Sequence, residues 1–240
     1  MVIDASKGVE AQTIKLFKVC VMRHIPIFTF INKMDLEAKD PFELLDDIET
    51  VLGIRTCPVN WPIGSGKRFK GVYDRETKQV SMFQAVSTGG SKSAAETDYS
   101  LDDPELRNAV GEELYQQLLD EVELLDGASD AFDQELVDKG ELSPVFFGSA
   151  LTTFGVETFL EHFLKMTLSP LPRQSNEGSI DPVTAPFSGF IFKIQANMNK
   201  AHHDRIAFML ICSGKFDAGK DVYHVQSGRK LKLSQPQQIM

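Results

Sequence analysis

Asn32-Lys33-Met34-Asp35 closes the apolar run Pro26-Ile27-Phe28-Thr29-Phe30-Ile31, and Gly148-Ser149-Ala150-Leu151 closes a second run, Pro144-Val145-Phe146-Phe147. An Asp35 carboxylate can accept two parallel hydrogen bonds, the pair that the N1–H and exocyclic amine of guanine supply and that adenine lacks on the same edge. Charge-assisted, bidentate contacts of this kind are strong and selective. A site built for one bonding pattern rejects an analogue by roughly 10⁴-fold, because the mismatched polar groups stay unpaired. Asn32 carries an amide able to brace its loop and reach the base edge. Lys33 offers an apolar stem to cover the base face, with its ammonium near the ribose. In the second motif the Ala150 N–H would meet guanine O6 and the Ser149 hydroxyl would orient the Asp35 carboxylate. Each motif alone also fits an ordinary polar turn. Their joint position, each directly after a β-type run, favours descent from a guanine-binding site.

Such a pair works only if two strand ends lie side by side, which is where open α/β sheets bind ligands. The chain supplies suitable elements. Met1–Ala5 is an apolar strand followed by the turn Ser6-Lys7-Gly8. A helix is expected over Val9–His24, with Ile14, Leu16, Phe17, Cys20 and Val21 as its apolar stripe. Asp40-Pro41 forms an N-cap and first helical position for a helix carrying Phe42, Leu44, Leu45, Ile48, Val51 and Leu52, stopped by Gly53. Residues 55–140 read as an α+β insertion between core segments 1–54 and 141–172. Short antiparallel strands are expected from Cys57 to Asp74, one acidic helical stretch from Asp103-Pro104 through Leu125, and a helix from Ala128 to Lys139 closed by Gly140. A helix from Gly155 to Met166 should bury Val156, Phe159, Leu160, Phe163 and Leu164. Residues 173–182 read as a polar linker, and 183–240 as the start of an all-β barrel that ends before the strands needed to close it.

With 42% hydrophobic residues and 17 Phe among 240, the chain can build real cores. No apolar stretch approaches the roughly 20 residues that span a bilayer, and no leader pattern opens the chain, so a cytoplasmic protein without membrane contact is expected. Cys20, Cys57 and Cys212 have no paired spacing; Cys20 and Cys212, in apolar runs, are expected in cores. The net charge of −9 is uneven: from Val183 onward eight Lys/Arg face three Asp, a local +5, leaving −14 on the first 182 residues. The basic end suits RNA phosphate once docked, and suits a solvated face equally well.

Several features are decoys. Gly64-Ser65-Gly66-Lys67 imitates a phosphate loop, but Trp61 replaces the first glycine and Arg68 the Ser/Thr that would hold magnesium, so a turn between strands is the better reading. Gly89-Gly90-Ser91-Lys92-Ser93 fails in the same way. His202-His203-Asp204 reads as a turn or a phosphate contact before a metal site, and Glu121 with Glu123, like Asp46 with Asp47, reads as a solvated helix face.

Asn32-Lys33-Met34-Asp35, Trp61-Pro62-Ile63-Gly64 through Phe69-Lys70-Gly71-Val72-Tyr73, Pro144 to Ala150, and Gly189-Phe190-Ile191-Phe192-Lys193-Ile194-Gln195-Ala196-Asn197-Met198 together resemble the bacterial peptide chain release factor 3 family of translational GTPases. Elongation factor G and the ribosomal protection proteins share the base motifs and barrel layout. The resemblance implies the rear part of a P-loop GTPase domain, a mostly parallel sheet with flanking helices, followed by an incomplete β-barrel. It also implies GTP or GDP as ligand, and the ribosome with its rRNA and the class I release factors as partners. The activity it implies is GTP hydrolysis that drives those factors off the ribosome. The family's phosphate loop, its magnesium-binding threonine and its activating histidine match nothing here, so Mg²⁺ and hydrolysis are expected only with a preceding segment. No catalytic or metal residue is carried over. The guanine positions carried over are Asn32, Lys33, Asp35, Ser149 and Ala150, with Leu151 as a packing neighbour. A non-enzymatic module docking on a ribosome or protein, and an unrelated α/β enzyme, are the other readings. The Met1–Ala5 strand is further expected to present an open sheet edge that favours self-association.

Overall fold

Strands and helices alternate from the first residue, as the apolar runs require. In the computed structural model β1 (Val2–Asp4) leads to α1 (Ala11–Met22), β2 (Thr29–Asn32), α2 (Pro41–Leu52) and β3 (Arg55–Pro58). The structure describes residues 1–23, 25–84, 95–176, 178–196, 205–233 and 236. An antiparallel sheet follows, formed by β4 (Asn60–Ile63), β5 (Gly71–Asp74), β6 (Gln79–Gln84) and β7 (Ala95–Ser100) in that order. Next come α3 (Pro104–Val110), α4 (Glu112–Ala128), α5 (Gln134–Lys139), β8 (Leu142–Phe147) and α6 (Val156–Met166). Strands β1, β2, β8 and β3 make a parallel sheet in the order β1-β2-β8-β3.

Alternation along the central strands decides what each face buries. Ile31 of β2 with Val145 and Phe147 of β8 enters one core with Ile3, Leu44, Ile48 and Trp61, whereas Phe30 and Phe146 enter another with Phe28, Cys57 and Met166. Side chains at successive positions point to opposite faces, and a parallel sheet needs both faces covered. Trp61 joins the two sheets, its ring centroid 4.6 Å from that of Phe42 and 5.3 Å from that of Phe147, with its indole N–H donated to Glu121 at 2.6 Å. Glu121 is thus a structural acceptor rather than a solvated carboxylate. Asp47 is another, taking the Val9 N–H at 2.7 Å.

Local chemistry sets the helix ends. The Asp40 side chain accepts from Phe42 N and Glu43 N, Pro41 fills the first turn, and Gly53 ends α2 at φ 71°. The acidic stretch expected as one helix is two, because Gly111 at φ 88°, ψ 153° breaks it between α3 and α4. The helix expected from Ala128 instead starts at Gln134, where the Asp133 carboxylate accepts from Glu135 N and Leu136 N. Arg55–Pro58 pairs with β8 in the parallel sheet, so the excursion from that sheet opens at Asn60 rather than at residue 55.

Two apolar stripes differ from expectation. On α1 only Phe17 is buried, Ile14 and Cys20 are half-buried, and Leu16 and Val21 are exposed, so the covered face is narrower than the apolar stripe. On α6 the buried face turns toward His162 and Met166, leaving Leu160 and Leu164 exposed. The imidazole is drawn inward by Asp74, as described below. Among the cysteines Cys57 is the buried one, and Cys20 and Cys212 are only half-buried. Burial pushes the Cys57 thiol up to about 11, which disfavours its thiolate form.

Residues Leu168–Met240 form a second compact unit, separate from Met1–Thr167. Its described strand pairs are all antiparallel. β9 (Arg173–Ser175) pairs with β10 (Gly178–Ile180), inside the span expected as a linker. β11 (Ser188–Ala196) pairs with β12 (Arg205–Ser213), and β13 (Asp221–His224) with β14 (Arg229–Lys232). The segments Gly89–Ser93 and His202–Asp204 lie outside the described residues.

Candidate functional site

Strands β2 and β8 are neighbours in register, Phe30 opposite Phe146 and Ile31 opposite Phe147, so their carboxyl ends and the loops beyond them coincide in space. Main-chain bonds lock the two loops: Met34 N donates to Gly148 O at 3.1 Å, and Gly148 N to Ile31 O at 3.0 Å. Gly148 is required there. A Cβ at that position would lie 2.4 Å from Phe154 O and 2.8 Å from the Phe30 ring.

Asn32 is the hinge pin of the site. Its Oδ1 accepts from Lys33 N at 2.8 Å and from Ala150 N, also at 2.8 Å, across 118 residues of sequence. Asn32, Lys33 and Ala150 are therefore brought together, but several contacts of the predicted residues differ from expectation. The Ala150 N–H, expected to face guanine O6, is donated to Asn32. The Ser149 hydroxyl, expected on Asp35, accepts from Thr152 N at 3.4 Å, and Ser149 is fully buried. Asp35 is half-buried, and among the described residues no hydrogen bond or ion pair engages its carboxylate. Its acceptors are open. Leu151, expected as a packing neighbour, is 84% exposed.

Lys33 adopts φ 73°, a left-handed backbone uncommon for a residue with a side chain and a form of strain that gathers at functional loops. Its ammonium donates to Asp4 Oδ2 at 2.7 Å instead of standing free. That bond, with the Ser6 hydroxyl on Oδ1, holds the Asp4 carboxyl down at about 2, and Asp4 in turn raises the Lys33 ammonium above its ordinary value.

The family model described as "Elongation factor Tu GTP binding domain" matches residues 1–169, and "Elongation factor G domain 2" matches residues 186–240. The chain belongs to the elongation factor Tu family of GTP-binding domains. Within that translational GTPase family it is similar to proteins named peptide chain release factor 3. It is 57% identical to the one from Symbiobacterium thermophilum over all of this chain and 45% of that protein. It is 51% identical to the one from a Synechocystis species, over all of this chain and 44% of that protein. The protein of that name from Synechococcus elongatus is 53% identical, again over all of this chain and 43% of its own length. The chain thus spans less than half the length of these curated relatives.

Three residues of this GTP-binding domain escape a motif search. Asp4 has no motif of its own. Asn60 sits buried in the apolar segment Val59-Asn60-Trp61, where it pairs with the last residue of β8: Phe147 N donates to its Oδ1 at 2.7 Å, and its Nδ2 donates to Phe147 O at 3.1 Å. A buried amide amid apolar neighbours was the available signal. His162 is fully buried, its Nε2 2.6 Å from Asp74 Oδ2, and Nδ1 lies 3.0 Å from Glu76 Oε2 outside hydrogen-bonding alignment. Burial pushes the Asp74 carboxyl up, and the hydrogen bonds from His162 and Thr77 outweigh it, leaving Asp74 below its ordinary value. No group of His, Cys, Asp and Glu suited to a metal ion occurs among the described residues.

Proposed function

We propose that this chain reads the guanine base of GTP or GDP within a translation-termination GTPase, one that promotes departure of class I release factors from the ribosome. The observation that carries the reading is the double acceptance at Asn32 Oδ1, which brings the Asp35 loop and the Ala150 loop to one point while leaving the Asp35 carboxylate open. Asp35 takes the N1–H and exocyclic amine, the Lys33 stem covers one ring face, and exposed Leu151 offers apolar surface beside it. Asn32 surrenders the Ala150 N–H to guanine O6 when the base enters, or shares it. The names of the relatives support the termination role, which belongs to the whole protein. An elongation factor G-like or ribosomal protection GTPase is the neighbouring reading, supported by the match of residues 186–240.

The 240 residues contain no Gly-x-x-x-x-Gly-Lys-[Ser/Thr] loop. Phosphoryl transfer rests on positioning by such a loop, Mg²⁺ and an oriented water. A polypeptide of these residues alone therefore binds guanine nucleotide weakly and does not hydrolyse it. A ribosome-docking role without catalysis has its own support in the exposed basic strand Arg229–Lys232 of the second unit. Self-association through β1 is a further reading, supported by its place at the end of the sheet order and by the exposed Val2. Titration with a fluorescent GDP separates the readings. Displacement by GDP and not by ATP supports base recognition; equal displacement, or no binding at millimolar nucleotide, overturns it.

A further inference from the structure

The carboxyl end of β1 carries a carboxylate that no base motif includes. Asp4 is fixed on three sides. Its Oδ1 accepts from Ser6 N at 3.0 Å and from Ser6 Oγ at 2.7 Å, and its main-chain carbonyl accepts from Lys7 N and Gly8 N. The next residue ties this turn to the candidate base loop, because Ala5 N donates to Asn32 O at 2.9 Å. The remaining carboxylate oxygen of Asp4 receives Lys33 Nζ at 2.7 Å, and the Asp4 side chain is 12% exposed against 49% for Lys33. One end of this ion pair is anchored, and the other is a flexible stem held to it.

Asp35 lies two residues beyond Lys33 on the same loop, and its charge, with that of Glu10, also reaches the Lys33 ammonium. Of these carboxylates Glu10 is engaged by Lys7. Asp35 is open, so it is the natural second partner for Lys33 if Asp4 is lost. An ammonium on Asp35 would occupy the two acceptor oxygens that the guanine edge needs.

We propose that Asp4 is a positioning residue that holds the Lys33 ammonium away from Asp35 and so keeps the Asp35 carboxylate available to a guanine edge. The proposal deepens the base-reading assignment above and rests on it for its consequence, though not for the contact itself. Asp4 touches no base. It acts through Lys33, both by capturing the ammonium and by fixing the stem that covers the ring.

The test uses the 240-residue chain with GDP as probe, in four forms: wild type, Asp4→Asn, Lys33→Met, and the double variant. Methionine keeps an apolar stem of similar length and removes the competing charge. Exposed ion pairs are worth little, so Asp4→Asn is expected to weaken GDP binding by about fivefold. The double variant should match Lys33→Met alone within about twofold, because Asp4 has nothing left to restrain. A loss that persists undiminished in the Lys33→Met background would make Asp4 merely structural and overturn the proposal. A second readout needs no nucleotide: NMR coupling across the ion pair, from the Lys33 ammonium nitrogen to a carboxyl carbon. It is expected to point to Asp4 in the wild type and to Asp35 in Asp4→Asn. An ammonium that stays away from Asp35 in the variant overturns the proposal. Transfer of the coupling without GDP binding by any form sustains the contact and overturns only the base-reading assignment.

Discussion

Strands β8 and β11 have similar apolar character and opposite fates. All six residues of Leu142–Phe147 are buried, while all nine of Ser188–Ala196 are exposed, Phe190, Ile191, Phe192 and Ile194 among them. The difference lies in what covers them. β8 runs between β2 and β3 with a core against each face, whereas among the described residues β11 pairs with β12 alone, in a two-stranded ribbon. An isolated two-stranded ribbon is marginal in water, and a sheet needs a packed face to hold a register firmly. The candidate binding loops of the first unit are held by β2 and β8, which are packed on both faces.

Paired substitutions sharpen this contrast. Phe146→Ala, at a fully buried position, should cost about 3–5 kcal/mol in denaturant unfolding, while Phe192→Ala should cost no more than about 0.5 kcal/mol. Equal effects would break the comparison. His162→Ala leaves the buried Asp74 oxygen without its imidazole and should cost about 2 kcal/mol, whereas His224→Ala, on exposed β13, should be close to neutral. Removing the α2 cap with Asp40→Ala should cost about 1 kcal/mol, through the two N–H groups left without a partner.

The smallest expected effect is on pH dependence. The carboxyls of Asp74 and Asp4 sit below their ordinary values when folded, Asp4 at about 2. Each therefore adds stability that is complete above the unfolded carboxylate range, near 4, and is lost as pH falls through the depressed folded value, about 2 for Asp4. Acid unfolding of the first unit should flatten over that window in Asp74→Asn, and a slope unchanged from wild type would contradict the assignment.

Much of the first unit was legible because its signals are local. Asp40-Pro41 and Gly53 name the ends of α2 by their own backbone preferences, and the runs before Asn32 and Gly148 give strands whatever lies elsewhere. The departures come from distant partners. Nothing near Leu160 or Leu164 says that α6 turns its His162 face inward; that is decided by Asp74, 88 residues away. Gly111 was visible as a residue but not as a break, since its backbone angles depend on how α3 and α4 pack. In the site, residue types announced the base chemistry, but not the contacts. Asn32 holding Ala150, Asp4 holding Lys33 and Asn60 holding Phe147 are long-range bonds with no periodic signature.

The role given to Asp35 is open to a direct exchange of hydrogen-bond direction. Xanthine replaces the exocyclic amine of guanine with a carbonyl, so an amide at position 35 can donate where the carboxylate could only accept. Competition binding of GDP and xanthosine diphosphate to the wild-type chain and to Asp35→Asn measures it. The expected result is a reversal of preference, GDP for the wild type and xanthosine diphosphate for the variant; an unchanged preference for GDP in Asp35→Asn would contradict base reading by this loop.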